Sequence, residues 1–403
     1  MSSRAGPATQ HPTLPVPIGI HNQVLFTLVI VGSAAVALSS FVGYAPNRLV
    51  SGRPIPLWEA AGSLPTAGIV ALGAMLLATS LFSAGKLVHY AVAGLAACLL
   101  LLALAAAGEA ANRLAAGAAP ASRISLGAAF WILAGCAALA IIDALQRLAA
   151  GTAARVLAVF TIGAGFFAMT ACGAFDALSI AREYQSHDQL FANAVVRHLL
   201  LVAASVGAAL VIGFPLGIAA ARNPGLQGVL FAVLNILQTI PSIALFGLLI
   251  VPLSSLAAAV PQLALLGIGG IGVAPAIIAL VLYALLPVVR NTSAGLAGVD
   301  RAAVEAGRGM GLTRRQIFWQ VELPLSLPVL LAGLRIVTVQ AIGLAVVAAL
   351  IGAGGLGTFV FEGLGQYAVD LVLLGALPAI FLALGADFTL QILSGLLRRR
   401  FAP

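Results

Sequence analysis

The chain has 403 residues, 62% of them hydrophobic and 8% charged, with a mean hydropathy of +1.12 and a net charge of +8. Its apolar runs are long enough to cross a hydrocarbon layer of about 30 Å, so the excess of arginine marks cytoplasmic loops of a membrane protein and not a nucleic-acid surface. Cys98, Cys136 and Cys172 are odd in number, widely spaced and set inside apolar runs; they support neither a disulfide framework nor a zinc site, and are expected as small buried packing residues.

Lipid offers no water to backbone amides, so a spanning segment is a helix or part of a closed barrel. The runs here are Ala/Leu-rich and lack period-two alternation, which selects helices. Residues 1–22 hold Pro7, Pro12, Pro15 and Pro17 and are expected as a disordered cytoplasmic tail. The run from Val24 to Val42 carries an A-x-A match at Ala35 and Ala37, but it is too long and too weakly charged for a secretory leader, and a first transmembrane helix is expected. Further apolar runs near 64–85, 87–108, 124–145 and 153–178 make residues 23–180 a block of about five helices.

The polar stretch Ala181–Asn193, AREYQSHDQLFAN, marks a domain boundary and is expected as an extracytoplasmic amphipathic segment. In the second domain, 181–403, helices are expected near 195–221, 226–252, 274–290, 326–351 and 369–396, for about ten in all. Pro241, within QTIPSIALFGLLI, is expected to kink its helix by removing an internal hydrogen bond. The glycines of LALLGIGGIGVAP, between Pro252 and Pro275, predict a loop or a re-entrant piece.

Asp300–Pro324, DRAAVEAGRGMGLTRRQIFWQVELP, is a polar island between apolar runs. Asp300 is placed to cap a short helix carrying Val304 and Glu305, which Gly309 and Gly311 end. Thr313 and Gln316 have capping-box spacing for a second helix, Leu312 and Ile317 the spacing of a hydrophobic staple, and Pro324 is expected to close it. The predicted product is a helix-turn-helix at a membrane surface. With this island cytoplasmic, alternation places both termini, Lys86, Arg147, Arg155 and Arg222 inside as well.

Glu305-Ala306-Gly307, Gly311, Val321 and Leu323-Pro324 stand at the spacing of the EAA loop, EAA-x3-G-x9-I-x-LP, with Gly307 for the second alanine and Val321 for isoleucine. With QTIPSIALFGLLI, LPVVRNTSAGLAGVD, VELPLSLPVLLAGLR and ALIGAGGLG, the stretch from about Ala194 to Arg400 resembles permease subunits of ABC importers of the glycine betaine/choline (osmoprotectant) type. The resemblance implies an all-α polytopic protein with a type I importer permease core in its C-terminal half, in the bacterial cytoplasmic (inner) membrane. Its implied partners are a cytoplasmic ATPase, an extracytoplasmic solute-binding protein and a second permease subunit, identical or related. The coupling loop, 291–324, would dock into the ATPase, Glu305 offering charge to a basic groove. Gly307, Gly309 and Gly311 would allow close backbone approach, and Arg314 and Arg315 would anchor to acidic residues or to lipid headgroups.

Gly352, Gly354, Gly355 and Gly357 satisfy G-x-G-x-x-G, but they end an apolar helix and follow no strand, so a dinucleotide site is not expected. The resemblance implies a turn at the outer gate there; a plain tight turn fits equally. Arg335 and Asp387 are the deepest ionisable residues of the second half, both about 16 Å from the cytoplasmic face at 1.5 Å per residue. They are candidates for an intramembrane pair or for pathway residues, against a snorkelling arginine and a separately solvated aspartate. His11, His21, His89, His187 and His198 have no metal-ligand spacing, and no Walker motif exists because the only lysine is Lys86. The chain is thus expected to be no enzyme and to bind no cofactor, with ATP and Mg held by the partner. Alternatives are a permease for an amino acid or sulfonate, an ion-coupled secondary transporter, which would need coupling-ion residues and repeat symmetry, and a scaffold or sensor.

Overall fold

The computed structural model describes residues 20–401 except 49, 51, 82–84, 120 and 266. Most of the expected tail, 1–19, therefore lies outside the described residues. The chain divides into two units, Met1–Arg182 and Glu183–Pro403, each with its own apolar core.

The first unit contains α1 (Gln23–Leu38), β1 (Val42–Ala45), β2 (Arg53–Ile55), α2 (Leu57–Ala60), α3 (Ser63–Leu81), α4 (Lys86–Ala115), β3 (Arg123–Leu126), α5 (Ala128–Arg147) and α6 (Thr152–Ala171). α7 (Ser179–Ser186) carries the division between units. Leu25, Ile69, Leu76, Val92, Leu99, Phe130 and Leu133 form the centre of its core. Asn22 begins α1: its Oδ1 accepts from the Leu25 N–H at 3.0 Å, and its Nδ2 donates to Asp143 Oδ2 at 2.9 Å. Asp143 also accepts from Arg147 Nε at 2.8 Å, so this helix end is closed by a shared polar cluster. At the other end lies a three-stranded antiparallel sheet, ordered β2-β1-β3, an addition to the all-α expectation. Strands of three or four residues leave too few periods of alternation to stand out between long helices.

The second unit contains α8 (Asp188–Arg222), α9 (Pro224–Thr239), α10 (Ser242–Ala259), α11 (Pro261–Leu265), α12 (Val273–Ala297), α13 (Arg301–Gly309), α14 (Arg314–Ile317), α15 (Leu323–Val347), α16 (Gly357–Gly365) and α17 (Val369–Phe401). The polar stretch 181–193 is thus the end of a short helix and the first turns of a long one. Helices α8, α12 and α15 meet through glycines. A Cβ on Gly217 would come within 2.5 Å of Thr292 Cβ, and one on Gly333 within 2.5 Å of Asn291 Cβ, so backbone approach itself forms these contacts.

Among the described residues nine helices are long and apolar enough to cross a membrane, and α1, with 16 residues, is shorter. The protein is an all-α polytopic chain with about the expected number of spans. Three local expectations change. The helix expected over 226–252 is two helices, because proline disfavours helical backbone in the residue before it: Ile240 takes ψ 125° and α10 starts after Pro241. The Ile240 carbonyl left by this break accepts a hydrogen bond from the Tyr283 hydroxyl, and Gln238 Nε2 donates to the Tyr283 carbonyl at 2.8 Å. Pro241 therefore breaks the segment where a kink was expected. In the softer region, α10 runs to Ala259 and α11 follows, leaving only the glycine-rich residues before α12 as loop, with Gly267 and Gly272 at positive φ. Cys98 and Cys172 are exposed, not buried, because small apolar side chains are as compatible with hydrocarbon as with a core.

Candidate functional site

The 298–324 segment is built by its caps. Asp300 Oδ1 accepts from the Ala302 N–H at 2.9 Å and starts α13. Gly311, at φ +80°, ends it: its N–H donates to the Arg308 carbonyl at 2.9 Å and the Leu312 N–H to the Gly307 carbonyl at 3.1 Å, the paired bonds of a Schellman stop. Thr313 then opens α14 with a complete capping box, its N–H donating to Gln316 Oε1 at 2.8 Å.

α14 does not stop at Pro324. It passes through a π turn, Phe318–Glu322, directly into α15, with Pro324 in the first turn of that helix. The Leu323 N–H bonds back to the Phe318 carbonyl, and the widened turn absorbs a residue that has no N–H to give. The second short helix is thus continuous, through the π turn, with a membrane-spanning one.

The segment has two faces. Gly307 and Ile317 are buried, and a Cβ at Gly307 would lie 3.6 Å from Leu312 Cδ1, 3.6 Å from Ile317 Cγ1 and 3.7 Å from Val321 Cγ2. Gly307 thus faces the interior of the segment, close to Leu312, Ile317 and Val321, whereas Gly309 and Gly311 are exposed. The outer face carries Glu305, Ala306, Arg308, Arg314 and Arg315, with Met310 and Trp319 at 73% and 56% exposure. Leu323 and Pro324 are half-buried.

Arg222, at the end of α8, was not singled out as a site residue, yet it joins the segment to the bundle. Its Nη2 lies 3.4 Å from Glu322 Oε2, and its guanidinium sits 5.5 Å from the centre of the Phe318 ring. A hundred residues separate Arg222 from Glu322 in the sequence, so only the fold brings them together.

Arg335 and Asp387, on α15 and α17, form a bidentate ion pair: Nε bonds Oδ1, and Nη2 bonds Oδ2 at 2.7 Å. Both side chains are about one-third exposed, at 39% and 32%. At the other end of α15, a 3₁₀ turn (Ala348–Ile351) leads into the glycine turn. Gly352, Gly354 and Gly355 have φ of 77°, 78° and 86°, and a Cβ on Gly357 would lie 1.9 Å from the Val346 carbonyl oxygen. Arg197 Nε donates to the Ala353 carbonyl at 3.1 Å, and the Gly272 N–H to the Ile351 carbonyl at 2.7 Å. These contacts tie the turn to α8 and to the loop before α12; no strand leads into it, so it is not a dinucleotide fingerprint.

In the second unit a bundle of long apolar helices thus carries a capped, charged two-helix element continuous with one of its spans. Residues 213–403 match the family described as binding-protein-dependent transport system inner membrane component, and residues 21–181 match the ABC transporter permease YehY, N-terminal domain. The carnitine transport permease protein OpuCB of Listeria monocytogenes is 42% identical over 51% of this chain and 86% of its own length. The glycine betaine/carnitine/choline transport system permease protein OpuCD of Bacillus subtilis is 37% identical over 51% of this chain and 82% of its own. Among solved structures, a chain of the MetNI methionine ABC transporter in an inward-facing conformation aligns with TM-score 0.46 and 24% identity, over 53% of this chain and 98% of that one. The chain belongs to the osmoprotectant-type family of ABC importer permeases.

Proposed function

We propose that this chain is the permease subunit of a bacterial cytoplasmic-membrane importer for glycine betaine, choline or related quaternary ammonium solutes. It works with a separate ATPase that docks on 300–324, with an extracytoplasmic binding protein and with a second permease subunit, and both of its termini are cytoplasmic. The observation that carries the coupling role is the build of 300–324: two capped helices, packed inward on Gly307, Leu312, Ile317 and Val321, continuous with α15, and presenting Glu305, Arg308 and Met310 outward. A rigid lever of that kind conveys a push from a bound partner into a spanning helix. Names of relatives similar in sequence support the solute class.

The test has two parts. Labelled glycine betaine uptake, with choline, carnitine and methionine as competitors, is measured in cells lacking other osmoprotectant importers, with and without this chain. Glu305→Lys and Gly311→Trp are then expected to leave the protein in the membrane but to abolish uptake and co-purification of the ATPase. Full uptake and normal ATPase retention in both variants would overturn the coupling assignment, and competition by methionine alone would overturn the solute class.

A further inference from the structure

The first unit holds a slot of about 430 Å³ between α1 and α3, closed on the inner side by Leu99 of α4 and by Leu133, Ala137 and Ala140 of α5. This volume falls in the roughly 300–1,000 Å³ range of small-ligand pockets. Its walls are apolar apart from Ser33, Trp58, Thr66 and Cys136, and the Thr66 hydroxyl already donates to the Gly62 carbonyl at 2.6 Å. The small residues that let spanning helices close on one another are present, Gly32 and Ser33 on α1 and Gly73 and Ala74 on α3. They do not close the gap here. A Cβ on Gly32 would touch Leu133 Cδ1 at 3.4 Å, whereas one on Gly73 would find no heavy atom within 4 Å.

Three observations select the occupant. The slot runs along α3 from Thr66 to Leu77, about 16 Å at 1.5 Å per residue, which is close to half of a 30 Å hydrocarbon core, the depth of one leaflet. One end is marked by Trp58, half-exposed in α2, an aromatic of the kind that sits at headgroup level. The long rim is open, with Ser33, Ala37, Val70 and Ala74 exposed, and the medium around a spanning helix is hydrocarbon. We propose that the α1–α3 slot is a binding site for one acyl chain of a membrane phospholipid, its glycerol end beside Trp58. The lipid completes the packing that α1 and α3 leave unfilled.

The full chain is reconstituted in vesicles containing a phospholipid with a diazirine in mid-chain, irradiated, and its adducts are mapped by mass spectrometry. Adducts are expected to concentrate on the slot walls, at Val29, Gly32, Val70 and Gly73, above the level at Phe160 and Phe167 of α6, which are 72% and 73% exposed. Gly73→Phe fills the slot from one wall and Ser33→Phe from the other; each is expected to lose the slot adducts and retain those on α6. Using both keeps the test decisive if one variant fails to insert, monitored by size exclusion and thermal melting. Equal labelling of slot and α6, unchanged in the filled variants, would mean annular lipid alone and would overturn the proposal. So would an efficient disulfide between copies carrying Gly73→Cys with Cys98, Cys136 and Cys172 replaced by serine, because a second chain would then lie against the slot.

Discussion

Replacing Gly307 with alanine separates a packing role from a docking role at one of the two positions where this chain departs from the family pattern. The new methyl would meet Leu312, Ile317 and Val321 at 3.6–3.7 Å, ordinary contact distances, so no neighbour has to move. Alanine is about 1 kcal/mol better than glycine inside a helix, and burying one methyl group contributes about 0.8 kcal/mol. The sum, a little under 2 kcal/mol, corresponds to roughly a tenfold or greater slowing of local opening. Hydrogen exchange on peptides covering α13 in the purified protein reads this directly, with betaine uptake measured alongside. The expected outcome is slower exchange with uptake retained. Unchanged or faster exchange, or loss of uptake with ATPase docking lost, would refute the inward packing of Gly307. Gly307→Leu is the counterpart: it overfills the same space and is expected to cost about 1–3 kcal/mol.

Charge reversal at either Arg335 or Asp387 is expected to abolish uptake and lower thermal stability by about 2 kcal/mol, a figure reduced from the cost of a fully buried charge because both side chains are partly exposed. The double variant Arg335→Asp with Asp387→Arg is expected to restore part of both, and no recovery would argue against a role for the pair. Gly333→Ala pushes a methyl to within 2.5 Å of Asn291 Cβ and is expected to destabilise the second unit by about 1–3 kcal/mol, read as a lowered melting temperature. Tyr283→Phe leaves the Ile240 carbonyl without its hydroxyl donor at the break before α10, with an expected loss of about 1 kcal/mol and faster exchange around 238–242. Arg222→Ala is expected to reduce uptake while ATPase docking persists, because it loosens the π turn from α8 and leaves the outward face of α13 intact.

What the sequence determined by itself follows from interactions that are short in range or set by the solvent. Apolar run length decided the spanning helices, because lipid demands that a backbone satisfy its own hydrogen bonds. The caps of α13 and α14 were legible in Asp300, Gly311, Thr313 and Gln316, because a cap involves residues two to five apart. Pro241 and Pro324 show where local reasoning stops. The same residue type breaks a helix at one site, where Ile240 is extended and its carbonyl accepts from Tyr283, and follows a π turn at the other, where Leu323 stays helical.

Tertiary structure alone decided the rest. It paired Arg222 with Glu322, decided for a pair where equal depth had made Arg335 and Asp387 only candidates for one, turned Gly307 inward, and left Gly73 facing open space while Gly217 and Gly333 are pressed against α12. A glycine carries no sign of its direction, and a charge none of its partner, until helices distant in sequence are packed. In a chain so uniformly apolar, hydropathy scarcely separates one helix face from another, so small residues and rare charges set the packing, and their meaning lies in what the fold places opposite them.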